Sequence, residues 1–304
     1  MKNNFLLAVA FFFSAWATQA QWTNRYPKVE GYGHHVYLEG YDFPVLNAGP
    51  LDPAPSPVNN MLLFSAKGWL WMLDTNSLEA ERITSSAGMD SKPNWAPSGE
   101  KIVFVRDNSI NTQIVLLDLR SKQEIVLVDT DAVELDPVFA PSGESVYYAS
   151  SKNGSFDLWQ INLNSSESTP VFISKGLQRS PIPTAGEDKI VYLNKEGFSY
   201  DGILLYDIAN KISTPLVQEN FMSQTSFSLS PDNETLAYTW PSGDDYELRM
   251  LNINKPESRV LLSKGKGLPL MPKFDREGEW IYYSEYNKNE VSELKRIRIS
   301  GGTP

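Results

Sequence analysis

The chain has 304 residues, 41% of them hydrophobic and 12% aromatic, which is enough for a large packed domain and too apolar for a disordered one. Its formal net charge of -10, from 27 basic and 37 acidic residues with no basic run among aromatics, argues against a nucleic-acid partner, because phosphate binding needs a positive patch. Cysteine is absent, which excludes disulfides, thiolate nucleophiles, cysteine-ligated zinc and a lipid anchor carried on cysteine.

The chain opens with Lys2, an apolar run from Phe5 to Ala15, and Thr18-Gln19-Ala20 with small residues at the cleavage positions. That pattern predicts a signal peptide over residues 1–20, cut near Ala20. The apolar run is shorter than the roughly 20 residues that span a bilayer. No later stretch is apolar enough, so the mature chain is expected to lack a transmembrane segment and to be periplasmic or secreted. Residues 21–49 form an N-terminal segment that holds the only two histidines, His34 and His35. Adjacent residues on a strand face opposite sides, so these two do not ligate one metal together. With Asp42 they make at most an isolated polar site, and no metal or cofactor is expected.

Residues 50–304 are repetitive. Trp95-Ala96-Pro97-Ser98-Gly99-Glu100 and Phe139-Ala140-Pro141-Ser142-Gly143-Glu144 are near copies. In each, Pro and Gly stand where a tight turn wants one fixed and one free φ. Weaker copies place Asn59, Gly186, Asn233 (after Pro231) and Gly278 at the glycine position, so successive spacings are 40, 44, 43, 47 and 45 residues. After each turn come an alternating strand such as Lys101 to Val105, a further strand such as Asp157 to Leu163, and, in five of the six repeats, a short third such as Glu124 to Val128. With the strand that leads into the turn, that makes four strands per unit. The period predicts an all-β, six-bladed β-propeller with four-stranded blades. Aromatics such as Trp71, Phe104, Tyr148, Trp159 and Tyr238 are expected to fill the spaces between blades. The sixth repeat stops at Ser300-Gly301-Gly302-Thr303-Pro304 without a last strand. Either the segment around His34 to Leu38 supplies that strand, or the chain is the front part of a longer protein.

Asp90-Ser91-Lys92-Pro93-Asn94-Trp95-Ala96-Pro97-Ser98-Gly99, its copy from Glu134 to Gly143, and Asp157-Leu158-Trp159 resemble the TolB-like, WD40-like (PD40) propeller repeat. The resemblance covers roughly residues 50–304, and it implies a propeller that binds partner proteins at the cell envelope. Gly33-His34-His35-Val36-Tyr37-Leu38-Glu39, Asp42-Phe43-Pro44 and the terminal Gly-Gly-Thr-Pro are similar to exported proteins in which such a propeller precedes an amidohydrolase domain. That narrower likeness implies a downstream hydrolase as partner, its His-rich metal motifs being absent here.

No catalytic residue stands out. There is no Gly-x-Ser-x-Gly elbow, and Gly265-Lys266-Gly267 lacks the rest of a phosphate loop. Asp90, Glu134 and Asp136 precede the innermost strands and can approach the central channel. With Lys92 and Arg179 they would form a mixed-charge binding surface at its mouth. The expected function is a non-catalytic scaffold for an envelope protein or peptide. The alternatives are an accessory module of an exported amidohydrolase, and a propeller-type glycan lyase or glycosidase, which needs only two suitably spaced acids.

Overall fold

The computed structural model describes residues 49–304 apart from 175, 197–198, 219–225 and 288–290. His34, His35 and Asp42 lie outside the described residues, as does the expected strand around His34 to Leu38.

Alternating apolar residues between Pro, Gly and Asn turns make a chain of short antiparallel strands. Blade 1 is β1 (Leu51–Pro55), β2 (Met61–Ala66), β3 (Trp69–Asp74) and β4 (Ala80–Arg82). Blade 2 is β5 (Met89–Trp95), β6 (Lys101–Asp107), β7 (Thr112–Asp118) and β8 (Glu124–Asp129). Blade 3 is β9 (Glu134–Phe139), β10 (Ser145–Ser150), β11 (Asp157–Asn162) and β12 (Ser168–Phe172). Blade 4 is β13 (Leu177–Pro183), β14 (Lys189–Glu196), β15 (Ser199–Asp207) and β16 (Ile212–Val217). Blade 5 is β17 (Phe227–Leu229), β18 (Thr235–Ser242), β19 (Asp245–Asn252) and β20 (Lys255–Gly265). Among the described residues blade 6 has three strands, β21 (Pro269–Phe274), β22 (Trp280–Tyr286) and β23 (Ser292–Arg298).

Each blade is a simple meander, and the blades pack face to face. On one side β1 lies against β5, and on the other against β21 and β22, so the ring closes by packing. A single small sheet cannot bury both faces, and the space between blades becomes the core. Phe104 and Tyr238 are fully buried there, with Tyr148 and Trp159 nearly so, while Trp71 is half-buried and stacks on Phe64. Each such side chain contributes roughly 1.5–3 kcal/mol of hydrophobic stabilisation.

The turns after the inner strands form one face of the ring. Gly99 (φ 71°), Gly143 (φ 75°), Gly278 (φ 70°) and Asn233 (φ 61°) adopt the left-handed conformation that their turns require. At Gly99 space is a second reason for glycine, because a Cβ there would stand 2.3 Å from Val58. Two expectations are corrected. In blade 4 the left-handed residue is Glu187 (φ 54°), not Gly186, because Glu187 N–H closes the turn onto Thr184 as Gly99 N–H closes onto Ala96. Its carboxylate accepts the N–H of Ser142 in the turn of the neighbouring blade, at 2.8 Å. In blade 1, Asn59 is not left-handed; its side chain accepts the Met61 N–H, and Ser56 Oγ accepts the Val58 and Asn59 amides.

Candidate functional site

Five inner strands carry an X-Pro pair at the same place: Asp52-Pro53, Lys92-Pro93, Asp136-Pro137, Ser180-Pro181 and Met271-Pro272. All five X residues are left-handed, with φ between 51° and 55°, although none is glycine and a following proline disfavours helical backbone. Each pair coincides with a register shift between the inner strand and its neighbour. Backbone held so far from its preference is kept by its surroundings. Here the turned amides reach across to the next blade. Lys92 N–H donates to Asp52 Oδ2 at 3.1 Å, Ser180 N–H to Asp136 Oδ2 at 3.1 Å, and Met271 N–H to Ser226 Oγ at 2.9 Å.

These residues lie on the inner strands, and charge gathers there. Lys92 Nζ donates to Asp136 Oδ1 at 2.7 Å, and Arg179 Nε donates to Asp136 Oδ2 at 2.9 Å. Arg179 Nη2 adds a bond to Oδ1 at 3.2 Å, and Ser180 Oγ one to Oδ2 at 3.3 Å. Burial by itself raises the Asp136 carboxyl, but the charges of Arg179 and Lys92 and their hydrogen bonds outweigh it and hold it well below the usual carboxylate range. With both oxygens so occupied, Asp136 is a hub for cations and has little capacity left as a base. The three side chains keep 12% (Lys92), 9% (Asp136) and 7% (Arg179) of their exposure, so the cluster is largely desolvated yet not sealed from solvent.

Two residues beyond the sequence reading belong to this cluster. Asp52 accepts Ser65 Oγ at 2.7 Å besides the Lys92 amide. Lys273 on β21 lies in the fields of Asp136, Asp52 and Lys92; burial lowers its ammonium below the ordinary lysine value, the two carboxylates offset part of that, and Lys92 adds to it. It makes no ion pair among the described residues. The recurring X-Pro pair is the signal that would have found both, since Asp52 is itself X in blade 1 and Lys273 follows the pair in blade 6.

Asp90 and Glu134 do not join them. Like Asp136, they lie inside β5 and β9 and not before these strands, and they face their own sheets. Asp90 pairs across the strand with Arg106, whose Nε and Nη2 reach it at 2.7 and 3.0 Å, and Arg106 also contacts Glu124. Burial lowers the Arg106 guanidinium, but the two carboxylates outweigh it and raise its pKa. At the matching place in blade 3, Glu134 faces Ser150 and makes no ion pair among the described residues. Thr130 donates to its Oε1 at 2.6 Å, while Oε2 is buried without a hydrogen bond. Burial pushes this carboxyl up to about 7, against the opposing pull of Thr130, Ser150 and the charge of Lys152. In blade 4 the same pair is Gln178 and Asn194, joined amide to amide at 2.8 Å. Among the described residues no three His, Cys, Asp or Glu side chains gather as a metal-ligand set, and no helix is long and apolar enough to cross a membrane.

Comparison with known proteins adds the family. Residues 51–267 match the family model described as the TolB beta propeller domain. Among solved structures the chain is similar to TolB from Acinetobacter baumannii, with 19% identity, a TM-score of 0.64, and coverage of 72% of this chain and 56% of that one. It therefore spans little more than half the length of that protein. A TolB-like protein from Agrobacterium tumefaciens matches at 13% identity and a TM-score of 0.64, covering 86% of this chain and 93% of that one. An oligogalacturonate lyase in complex with manganese matches at 15% identity and a TM-score of 0.60, covering 84% of this chain and 76% of that one. At these identities the structural likeness speaks for the fold alone. No curated protein matches the chain.

Proposed function

Because the chain belongs to the TolB beta propeller domain family, we propose that it is a non-catalytic scaffold that receives a segment of a partner protein at the mouth of its central channel. The scaffold acts outside the cytoplasm, in the periplasm or beyond it, once residues 1–20 are removed after Ala20. The mature domain then runs from residue 50, with residues 21–49 as its N-terminal extension.

The observation that carries this reading is the channel cluster. Lys92 and Arg179 share the carboxylate of Asp136, and Lys273 lies in the fields of Asp136 and Asp52, in a protein whose net charge is -10. Among the described residues Lys273 is the member without an ion pair. A carboxylate on a partner would complete it and relieve the cost of keeping an ammonium out of water. A protein segment carrying Asp, Glu or a free C-terminus is the matching chemistry.

A photo-crosslinking residue placed at Lys273 in the full exported chain tests this, with the same residue at the exposed Leu78 as control. The expected result is a discrete protein adduct from position 273 that the control does not give. Adducts that are absent at 273, or identical at both positions, would contradict it, as would turnover of an oligosaccharide by the purified chain that Glu134→Gln abolishes. Lys273→Met is expected to weaken partner capture at least tenfold while leaving the fold intact, since it breaks neither ion pair of Asp136.

A further inference from the structure

Five blades share a turn that blade 6 has given up. The first residue of each second strand faces the last residue of the third. In blades 1 to 5 these pairs are Met61 with Asp74, Lys101 with Asp118, Ser145 with Asn162, Lys189 with Asp207 and Thr235 with Asn252. The Asp or Asn is structural in all five, because its side chain accepts amides of the turn that follows. Asn76 N–H donates to Asp74 at 2.8 Å and Ser121 N–H to Asp118 at 2.8 Å, and Asn162, Asp207 and Asn252 accept in the same way. In blade 6 the pair is Trp280 and Arg298. A residue that accepts hydrogen bonds has been replaced by a cation that can only donate them.

Arg298 does not stand alone. Arg296 faces Tyr282, at a place where blades 1 to 5 carry the uncharged Met72, Leu116, Gln160, Leu205 and Met250. Both guanidiniums pack on the half-buried ring of Trp280, with Cζ 4.5 Å (Arg296) and 4.7 Å (Arg298) from its centroid. Arg296 also lies 6.0 Å from the Tyr282 ring centroid, and its Nη1 donates to Tyr282 Oη at 3.2 Å. Two like charges are thus held on one indole, on side chains that are exposed. Stacking satisfies the flat faces of a guanidinium and leaves its in-plane N–H donors free.

No carboxylate answers them. In a chain with 37 acidic and 27 basic residues, neither Arg296 nor Arg298 makes an ion pair among the described residues. The acids of the same blade are engaged elsewhere. Glu285 takes Lys295 at 2.6 Å, Glu277 pairs with Arg276, and Glu293 accepts Asn287 Nδ2 at 2.9 Å. Asp275 accepts the amides of Glu279 and Trp280 at 2.8 and 3.0 Å, and Glu279 pairs with neither arginine. Two guanidinium forks with unfilled donors at one place suit an oxyanion that has more than one charge and more than two oxygens. Phosphate is that ligand, whereas a carboxylate fills a single fork.

We propose that Arg296 and Arg298, seated on Trp280, form a binding site for a phosphate group, free or as a phosphate monoester, at the end of β23. It is a second site, apart from the charged cluster on the inner strands. Its chemistry is recognition alone. Trp280 carries both forks, Tyr282 positions Arg296 through its hydroxyl, and no bond is made or broken. The end of the strand is itself fixed, since Ile299 N–H donates to Glu279 O at 3.0 Å and Gly301 N–H to Arg298 O at 2.9 Å.

The repeat supplies variants that keep the fold. Arg298→Asn restores the residue that blades 3 and 5 carry, and Arg296→Gln the residue of blade 3, so both should melt where the parent does. In the full chain, sodium phosphate added at constant ionic strength should give saturable NMR shifts at the Trp280 indole N–H and the Arg296 and Arg298 Nε–H. Phosphate should bind at least about tenfold tighter than acetate, and each variant should weaken it at least about tenfold. Cosedimentation with phosphatidylcholine vesicles containing phosphatidic acid, lost in either variant, would place the phosphate on a lipid headgroup. Phosphate binding without cosedimentation would place it on a soluble molecule, and both results uphold the site. Shifts that do not saturate, an equal response to acetate, or unchanged phosphate binding in both variants would overturn the proposal.

Discussion

Two carboxylates on β9, Glu134 and Asp136, stand two residues apart and meet opposite electrostatic fates. Both are largely buried, and burial alone raises both. Asp136 is met by Arg179 from β13 and Lys92 from β5, and is held ionised between two blades. Glu134 turns into its own blade, meets hydroxyls instead of cations, and takes a proton near neutrality. The difference teaches that in this ring the inter-blade contacts decide charge state. A residue reaching across to a neighbouring blade finds a cation, and one facing its own hairpin finds whatever its sheet partner supplies. The blade 2 counterpart of Glu134 makes the same point, since Asp90 does have a cation, but one supplied from its own hairpin by Arg106.

The largest break in this comparison is Asp136→Asn. It leaves two desolvated cations without their shared anion, and such a loss costs about 3–5 kcal/mol. The melting temperature should fall by at least about 6 °C in a domain of this size, which calorimetry would register. A loss under about 1 kcal/mol would mean that water already compensates these charges.

Next in size is the pH dependence of Glu134. Its folded-state pKa of about 7 lies above the ordinary value of 4.5, so the folded chain holds the proton more tightly than the unfolded one. The associated stability is fully present below about pH 4.5 and is lost as pH rises towards 7 and past it. The loss is on the order of 2–3 kcal/mol. Glu134→Gln should abolish that part of the pH slope and be more stable than the parent at pH 8, as denaturant titrations at several pH values would show. Thr130→Val removes the hydroxyl that donates to Glu134, so the carboxyl should titrate still higher, at a cost of about 1 kcal/mol at neutral pH. Ser180→Ala should have the smallest effect, under about 1 kcal/mol, because the Ser180 amide still donates to Asp136.

Much of the fold was legible in the sequence. The Pro–Gly turns at Pro97-Gly99 and Pro141-Gly143 mark the hairpins that follow the inner strands, and the period near 44 residues marks the blades. Lys92, Asp136 and Arg179 were legible as charged residues near the inner strands, together with Asp90 and Glu134, but their mutual contact was not, because Arg179 stands one residue before the X position that Lys92 and Asp136 occupy. What escaped was decided by cross-strand register. Asp90 and Asp136 look alike in sequence, yet Arg106 stands opposite Asp90 only because of the hairpin pairing. The left-handed X residues escaped too, since a residue before proline is expected to be extended. Lys273 was missed because its repeat, Leu270-Met271-Pro272-Lys273-Phe274, lacks the acidic and tryptophan landmarks of the others.

The most direct test is a pH titration of the side-chain carboxyl carbons of Glu134 and Asp136 by NMR in the folded chain. The contrast drawn here predicts that Glu134 titrates near pH 7 while Asp136 stays ionised throughout the range in which the protein is folded. If both carboxyls titrated together near pH 4, the cations at the channel would not be holding Asp136, and the charged mouth proposed as the partner's seat would be contradicted.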